Sequence, residues 1–330
     1  MDPITQGALG AAVAHLLFAK RLPRAAALVG AAAAMSPDLD VLIPTFGDPT
    51  AGWVWHRGPT HSLAAIPIGG VLAGLVFLLF KPLRREWRTV LGAAVVGYAT
   101  HAPLDALTSY GTQLLWPFSN SRAALDWMPI IDPVYTLALL VGMTIGVWKK
   151  RALPTAIGLA VSFAYIGFAG VQHGRAVREV ERIAEAAGRD PSLVRATPSP
   201  LAPVLWHGFY LSDGRIYSVG VRTGWIGPIT VNDRGENRRL ATMDVARTPE
   251  AMRHFDHFSW FADGTLFVED ESQPERVGDG RYTSDAAGFG TLWGLDFSTD
   301  PPTRFSNFSR NVDPTLAAML GRDPAYQRPN

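Results

Sequence analysis

Three pairs of histidine and aspartate residues recur at short spacings within the first third of the chain. They are Asp38 with Asp40, His56 with His61, and His101 with Asp105. Imidazole nitrogens together with carboxylate oxygens are typical ligands of Zn²⁺, and also of Mn²⁺ or Fe²⁺. The chain has no cysteine, which excludes a thiolate site and leaves nitrogen and oxygen as the ligand atoms. We therefore predict that these six residues bind a divalent metal.

The local sequence around each pair indicates how its side chains meet. Gly58 and Pro59 separate the two histidines, which excludes one continuous helical face but allows a tight turn that points both rings to one place. His101 and Asp105 are four residues apart and so share one face of a predicted helix. The aspartate pair follows a proline that we expect to end a helix, in an extended or turn-like path. One of these two carboxylates is predicted to bind metal and the other to orient a histidine, and the sequence leaves open which does which.

Long apolar segments flank these residues and predict a membrane domain. Apolar residues make up 48% of the chain and charged residues only 18%, an unusual balance for a soluble protein. The predicted spans cover residues 62–80, 90–107, 130–148 and 153–171, after two shorter apolar segments at residues 4–19 and 25–35. Lysine and arginine cluster at residues 81–88 and 149–151, which marks those connections as cytoplasmic. In this topology all six predicted ligands lie at the external ends of their segments.

The composition changes after about residue 172, where charged residues and alternating aromatic stretches become frequent. We predict a helical membrane domain over residues 1–172, a charged helix and linker over 173–203, and a small β-rich extracytoplasmic domain over 204–330, with an irregular tail after Pro301. Asp-Gly turns at 213–214 and 263–264 predict two hairpins. Four histidines here lack a regularly spaced acidic partner and are predicted to be surface residues: His173, His207, His254 and His257.

Two further residues beside the pairs are candidates for the site. Arg57 follows His56 directly, and its guanidinium is predicted either to bind a phosphate or to reach lipid headgroups at the membrane surface. Asp132 precedes Pro133 at the start of the third span, as a helix N-cap or as a further catalytic carboxylate. The formal charge of +1, without a long basic run, argues against a nucleic-acid partner. The predicted partner is the lipid bilayer.

Five motifs, taken in order, resemble one known family. They are residues 2–7 (DPITQG), 37–40 (PDLD), 56–62 (HRGPTHS), 101–105 (HAPLD) with Gly111 and Trp116-Pro117, and 126–133 (DWMPIIDP). Together they resemble the YdjM-like family of bacterial inner-membrane metal-dependent hydrolases over about residues 1–150. That family is distantly similar to zinc-dependent phospholipase C and P1-type nucleases. The resemblance implies a phospholipase C-like helical bundle in the inner (cytoplasmic) membrane. Its implied metal ligands are Asp38 or Asp40, His56 or His61, and His101 with Asp105.

The chain also departs from the family pattern. Gln6 stands where many relatives have a histidine, and a further His-x-x-x-Glu/Asp pair of the trimetal enzymes is missing. We therefore expect one or two ions, zinc or alternatively manganese or iron, rather than three. Gln6 is expected to contact substrate or a metal-bound water.

These features lead to one main functional prediction and two alternatives. The main prediction is a multi-pass membrane metallohydrolase that cleaves a phosphoester, such as a lipid headgroup or lipid-linked substrate, with metal-bound hydroxide as nucleophile. The first alternative is a membrane-anchored sensor or assembly factor with a structural metal and a partner-binding β domain. The second alternative, a transporter, is disfavoured because the polar residues gather at one depth and do not continue to the inner end.

Overall fold

Helices come first along the chain and strands follow in this computed structural model, which describes residues 1–199, 202–283, 285–306 and 323–327. The chain divides into a helical unit, Met1–Pro44 with Trp55–Phe168, and a β unit, Thr45–Val54 with Ala169–Asn330. The predicted order of a helical region and a β-rich region is confirmed. The α-helices are α1 (Pro3–Phe18), α2 (Pro23–Met35), α3 (Ala51–Trp55), α4 (Ala65–Phe77), α5 (Trp87–Asp105), α6 (Pro133–Lys149), α7 (Ala152–Ala186) and α8 (Pro249–Phe261).

Small residues allow α1, α2 and α5 to approach closely. Gly30 of α2 is the shared contact. A Cβ atom added at Gly10 of α1 would lie 2.5 Å from the Gly30 carbonyl oxygen, and one added at Gly97 of α5 would lie 2.4 Å from the same oxygen. Such close approach is typical of membrane helix bundles. Because α2 leads into a 3₁₀ helix at Ser36–Leu42 that also contacts α5, the packing brings the aspartate pair beside the end of α5.

Two helices are long and apolar enough to cross a membrane, Pro23–Leu42 and α7. A third candidate joins Ala51–His61 to α4 with a bend of 84°, as in a broken span or a re-entrant loop. The predicted span at residues 62–80 is therefore helical mainly over α4. The predicted span at 90–107 corresponds to α5, which is not among the candidates. This helix contacts α1, α2 and α4, and that contact lets it carry polar side chains.

The expectation that Pro37 ends the helix is confirmed for the α-helix, since α2 ends at Met35. The chain continues as a 3₁₀ helix over Ser36–Leu42, with Pro37 in its first turn. Proline is tolerated there because the first N–H groups of a helix have no partner within the helix. The segment predicted at residues 25–35 consequently extends to Leu42 and reaches the length of a span.

All the strand pairs described in the β unit are antiparallel, in two sheets. One has the order β1-β2-β3-β4 with β5 also paired to β3, and the other has the order β6-β7-β8-β9. The strands are β1 (Leu193–Ser199), β2 (Ala202–Ser212), β3 (Arg215–Arg222), β4 (Thr230–Asn232), β5 (Asn237–Arg239), β6 (Leu266–Asp270), β7 (Gln273–Asp279), β8 (Trp293–Asp296) and β9 (Thr303–Ser306). A core forms where Ala176, Val180 and Ala184 of α7 pack against Trp206 and Val219 of the first sheet.

Of the two predicted hairpins, one is confirmed and one is wrong. Asp213 has a φ of 53° in the turn between β2 and β3, as an Asp-Gly turn requires. The stretch before the second turn is α8, not a strand. Thr248 caps this helix by accepting from the Ala251 N–H, and Phe255 and Phe258 are buried at helical spacing. The apolar residues of this stretch recur at helical spacing, and this pattern predicts its structure better than the Asp-Gly turn that follows it.

The surface prediction is wrong for two of the four histidines. His207 is buried, and its ring nitrogens lie 3.0 Å from the carbonyl oxygens of Ala286 and Gly280. His254 is buried on α8, with Nδ1 3.2 Å from Thr50 Oγ1. Both lie in the core, and burial lowers the pKa of each ring below its usual value.

Most of residues 173–203, predicted as a charged helix followed by a linker, lies in regular secondary structure. Residues 173–186 are the end of α7, and β1 occupies Leu193–Ser199, pairing with β2 from Leu193 opposite Leu211. Four of its residues are buried, so this edge of the sheet belongs to the core. In the predicted tail after Pro301, Thr303–Ser306 form β9, and residues 307–322 lie outside the described residues.

Candidate metal centre

Four donor atoms in the helical unit lie close enough to bind one ion. They come from Asp38, His61, His101 and Asp105. The two imidazole Nε2 atoms are 2.9 Å apart, and each lies 3.3 to 3.5 Å from the two carboxylate oxygens. A tetrahedral zinc ion with bonds of about 2.0–2.1 Å holds its ligand atoms roughly 3.3–3.4 Å apart. The four imidazole–carboxylate distances therefore fit one tetrahedral ion, whereas the two imidazole nitrogens lie about 0.4 Å closer together than in such a site.

Hydrogen bonds on the far side of each ring determine which nitrogen faces the centre. His101 Nδ1 donates to the carbonyl oxygen of Ala34, which can only accept. His61 Nδ1 lies 3.2 Å from Asp40 Oδ2 and 3.0 Å from Thr60 Oγ1, whose own hydrogen goes to Asp40. Both rings therefore turn Nε2 toward the centre. Two imidazole nitrogens at this distance need a proton or a metal ion between them, and the two neighbouring carboxylates favour a divalent cation.

Asp40 contacts His61 on the side of the ring that faces away from the four donors. Its Oδ2 accepts from the Arg57 backbone N–H at 3.2 Å and from Thr60 Oγ1 at 2.9 Å, in addition to the contact with His61 Nδ1. A carboxylate that holds the far nitrogen of a metal-binding histidine fixes the ring and increases its basicity. The geometry thus distinguishes the two aspartates: Asp38 belongs to the four-donor group, and Asp40 lies behind His61.

A second group of three residues, Asp40, His56 and His61, adjoins the first and shares His61 with it. His56 Nδ1 lies 2.7 Å from Asp40 Oδ1. That is a hydrogen-bond length, as is the 2.9 Å between the two Nε2 atoms of the first group. Either group could hold an ion, and the first group offers four donors against three in the second.

The turn predicted between the two histidines is confirmed. Arg57 has a φ of 60°, in the left-handed region, and the chain then enters a 3₁₀ turn at Pro59–His61. This conformation directs the Arg57 N–H and the His56 ring toward the same carboxylate. Tyr98 of α5 supports the turn from the other side by donating to the Thr60 carbonyl oxygen at 2.6 Å.

The sequence of the helical unit also matches a known protein family. The sequence model of the YdjM inner membrane protein family matches residues 1–176, more than half of the chain. The chain belongs to the YdjM inner membrane protein family. The match includes every residue of both His/Asp groups and confirms the family resemblance of the motifs.

Two relatives of this family member are named proteins. YfhP of Bacillus subtilis (strain 168), described as an uncharacterized protein, is 28% identical over 141 residues, which are 42% of this chain and 41% of YfhP. The inner membrane protein YbcI of Escherichia coli (strain K12) is 34% identical over 134 residues, which are 38% of this chain and 73% of YbcI. The chain thus spans less than half of the length of YfhP. No solved structure matches.

Gln6 lies beside the centre in this family member and holds Asp105. Its Nε2 donates to Asp105 Oδ1 at 2.9 Å, and the Met1 amino group donates to the same oxygen. Gln6 Oε1 is buried and has no hydrogen-bond partner among the described residues. Gln6 therefore positions a ligand, and its predicted contact with substrate or water stays a prediction.

Arg57 is buried, so the alternative in which it reaches lipid headgroups is wrong. Its Nε lies 3.0 Å from Asp105 Oδ2, and its Nη1 donates to Thr108 Oγ1 at 2.8 Å. The guanidinium also lies over the ring of Tyr110, 4.8 Å from the centroid. Arg57 thus forms an ion pair with Asp105 and balances its charge. Phosphate binding by Arg57 stays a prediction.

Asp132 lies outside both His/Asp groups of the described residues. Its Oδ1 accepts from the Tyr135 N–H at 3.0 Å and so caps α6, while its Oδ2 accepts from Tyr165 at 2.7 Å. These contacts agree with the N-cap alternative. No contact connects it to the four donors, and a catalytic role for Asp132 stays a prediction.

Sequence analysis missed the hydroxyl groups that support the ligands. Thr60 connects Asp40 to His61, and Thr108 fixes Arg57. A signal exists for each, since Thr60 directly precedes a predicted ligand and Thr108 follows Asp105 by one helical turn. Short polar side chains next to ligands are candidates for orienting groups.

Proposed function

We propose that the protein is a membrane metal-dependent hydrolase that cleaves phosphoesters of amphiphilic substrates, such as a lipid headgroup or a lipid-linked phosphate. One divalent ion, zinc or alternatively manganese or iron, would be held by Asp38, His61, His101 and Asp105. The observation that carries this proposal is the pair of imidazole Nε2 atoms that face each other at 2.9 Å between two carboxylates. When bound, such an ion supplies Lewis-acid activation of water and of the phosphoryl group.

Exposed apolar side chains around the centre support an amphiphilic substrate. Leu39 and Val41 alternate with the two aspartates and are 62% and 63% exposed. Leu115 and Phe118 are also exposed, in a segment whose backbone hydrogen-bonds to the residues that follow the histidine turn. Apolar surface of this kind contacts lipid in a membrane protein. A substrate with an apolar tail could therefore reach the polar centre from the bilayer.

His56 is the residue placed to move a proton. Asp40 holds its Nδ1 at 2.7 Å, and 24% of the side chain is exposed. A histidine whose Nδ1 hydrogen goes to a carboxylate presents the Nε2 lone pair on its other side. We assign His56 the role of accepting a proton from the attacking water and returning it to the leaving oxygen.

One observation favours the alternative of a sensor or assembly factor. Four protein donors complete a tetrahedral site, as in structural zinc centres, whereas catalytic zinc centres keep a position open or expand to five ligands. Of the four residues only Asp38 is partly exposed. In this alternative the metal stabilises the helical unit and the β unit binds a partner.

The test compares metal content and hydrolysis of detergent-purified full-length protein on phospholipids and a chromogenic phosphodiester. The wild type is expected to hold about one equivalent of metal. His101→Ala is expected to lose metal and turnover, and the control His173→Gln to keep both. His56→Ala is expected to keep the metal and lose roughly 10²–10⁴-fold in rate. Full activity in His101→Ala would refute the assignment. If the wild type holds metal but neither it nor any variant hydrolyses a substrate, the structural role of the metal would be favoured.

The orientation and the finer fold are part of the same proposal. The basic connections at residues 81–88 and 149–151 support a cytoplasmic position for those loops and an extracytoplasmic β unit in a multi-pass protein. We also propose a phospholipase C-like arrangement of the helices, supported by the clustering of His and Asp side chains from several helical segments. Reporter fusions at both loops and at the C-terminus test the orientation.

A further inference from the structure

A short loop of the β unit exposes two large apolar side chains. Residues 224–228 follow β3, and within them Ile226 is 96% and Trp225 50% exposed. Gly224 and Gly227, on either side, have φ values of 64° and 109°, which only glycine adopts readily. The backbone of this loop is therefore built to hold the two side chains outward.

Hydrogen bonds tie this loop to one level of α7. Gln172 Nε2 donates to the carbonyl oxygen of Trp225 at 3.2 Å. Arg175 donates through Nη2 to the carbonyl oxygen of Gly227 at 2.6 Å and through Nη1 to that of Thr223 at 3.4 Å. Two carbonyl groups of the loop and that of Thr223, just before it, thus bind two successive turns of the helix, which fixes the position of the loop along α7.

This level is where α7 changes from apolar to charged. The helix has no charged residue from Ala152 to Gly174, and Arg175 begins a segment rich in arginine and glutamate. At ~1.5 Å per residue, a hydrocarbon core of ~30 Å takes up about 20 residues, so a span that begins at Ala152 ends near Val171. Gln172 and Arg175 then lie in the headgroup region, where tryptophan and arginine side chains are enriched.

We propose that Trp225 and Ile226 insert into the headgroup region of the same bilayer that α7 crosses. The hydrogen bonds to Gln172 and Arg175 set the depth, and the side chains are of the types that favour this region. The β unit is then attached to the membrane surface at a second point besides the helix. This inference does not depend on the metal centre or on the hydrolase function.

The test uses the absence of cysteine from the chain. Full-length Ile226→Cys is labelled with an environment-sensitive fluorophore and reconstituted in phosphatidylcholine and phosphatidylglycerol vesicles. Asp213→Cys is the matched control, since the turn before β3 is exposed and lies about 26 Å from the loop after β3, at ~3.3 Å per residue. Because Ile226 is almost fully exposed, its substitution removes no packing and the variant is expected to fold.

The fluorophore at position 226 is expected to emit at shorter wavelength and to be quenched by lipids that carry a spin label near the headgroup. Its quenching by aqueous iodide is expected to be several-fold weaker than that of the fluorophore at position 213. Equal iodide quenching at both positions would overturn the proposal. Protection from iodide without quenching by spin-labelled lipid would show that protein covers the loop, and would overturn it as well.

Discussion

Asp38 and Asp40 are identical side chains two residues apart, and the fold gives them opposite surroundings. The Asp38 carboxylate lies near two imidazole nitrogens, at 3.3 and 3.4 Å. The Asp40 carboxylate lies among groups that donate hydrogen, including Thr60 Oγ1 and the Arg57 N–H. The first arrangement suits a shared metal ion, and the second is satisfied by hydrogen bonds. Substitution of the two residues should therefore affect metal binding by different amounts.

Asp40→Asn is expected to weaken metal binding by about 10–100-fold without abolishing it, because the amide keeps an acceptor but no longer orients His61 as a charged carboxylate does. Asp38→Asn removes a charged ligand and is expected to reduce the bound metal to below one tenth of the wild-type amount. Chelator competition on purified protein, read by elemental analysis, measures both. Equal losses in the two variants would contradict the division of roles.

Among the elements, the three helices that meet at Gly30 determine whether the ligands reach one another. Gly97 lies four residues before His101 on α5 and so on the same face. Asp38 follows α2 after a single turn. A change in the distance between α2 and α5 therefore moves two ligands apart, although the contact itself involves only backbone atoms.

Gly97→Ala is expected to destabilise the helical unit by about 1–3 kcal/mol and to lower its metal affinity, since the new methyl group would lie 2.4 Å from the Gly30 carbonyl oxygen. Gly167→Ala on α7 is the matched control, because a Cβ atom there meets nothing within 4 Å. Chemical unfolding in detergent and metal titration measure the two effects. Similar results for both variants would show that close helix packing does not support the centre.

For the whole molecule, the division into two units separates the metal centre from the sheets. Both His/Asp groups lie in the helical unit, as far as the described residues show, and the β unit has its own core between α7 and the first sheet. A metal that binds only the folded state raises the free energy of unfolding, by about 2.7 kcal/mol when the free metal concentration is 100 times Kd. This stabilisation should appear in one unit only.

Removal of metal by a chelator is expected to increase hydrogen exchange in the segment Ser36–Leu42 and in α5, while β3 and β7 keep their protection. Hydrogen exchange of the full-length protein, resolved by peptide with and without chelator, measures this. Readdition of zinc serves as the control and should restore the protection. An equal rise in exchange in both units would contradict a centre confined to the helical unit.

The sequence was sufficient for the parts that depend on local spacing. The four-residue interval between His101 and Asp105 places both on one helical face, and the Asp-Gly turn at 213–214 forms the expected hairpin. The burial of Arg57 depends on a helix end about 50 residues away and leaves no local trace. The helix end at Pro37 also follows from local sequence, since α2 stops at Met35, whereas the 3₁₀ helix that continues to Leu42 has no such local signal.

The uneven exposure of the four donors has a consequence for how quickly an ion is exchanged. The side chains of His61 and His101 are 0% and that of Asp105 1% exposed, against 24% for Asp38. An ion held here would therefore enter and leave past the Asp38 carboxylate. Its exchange is then expected to be slower than at a site whose ligands are all exposed.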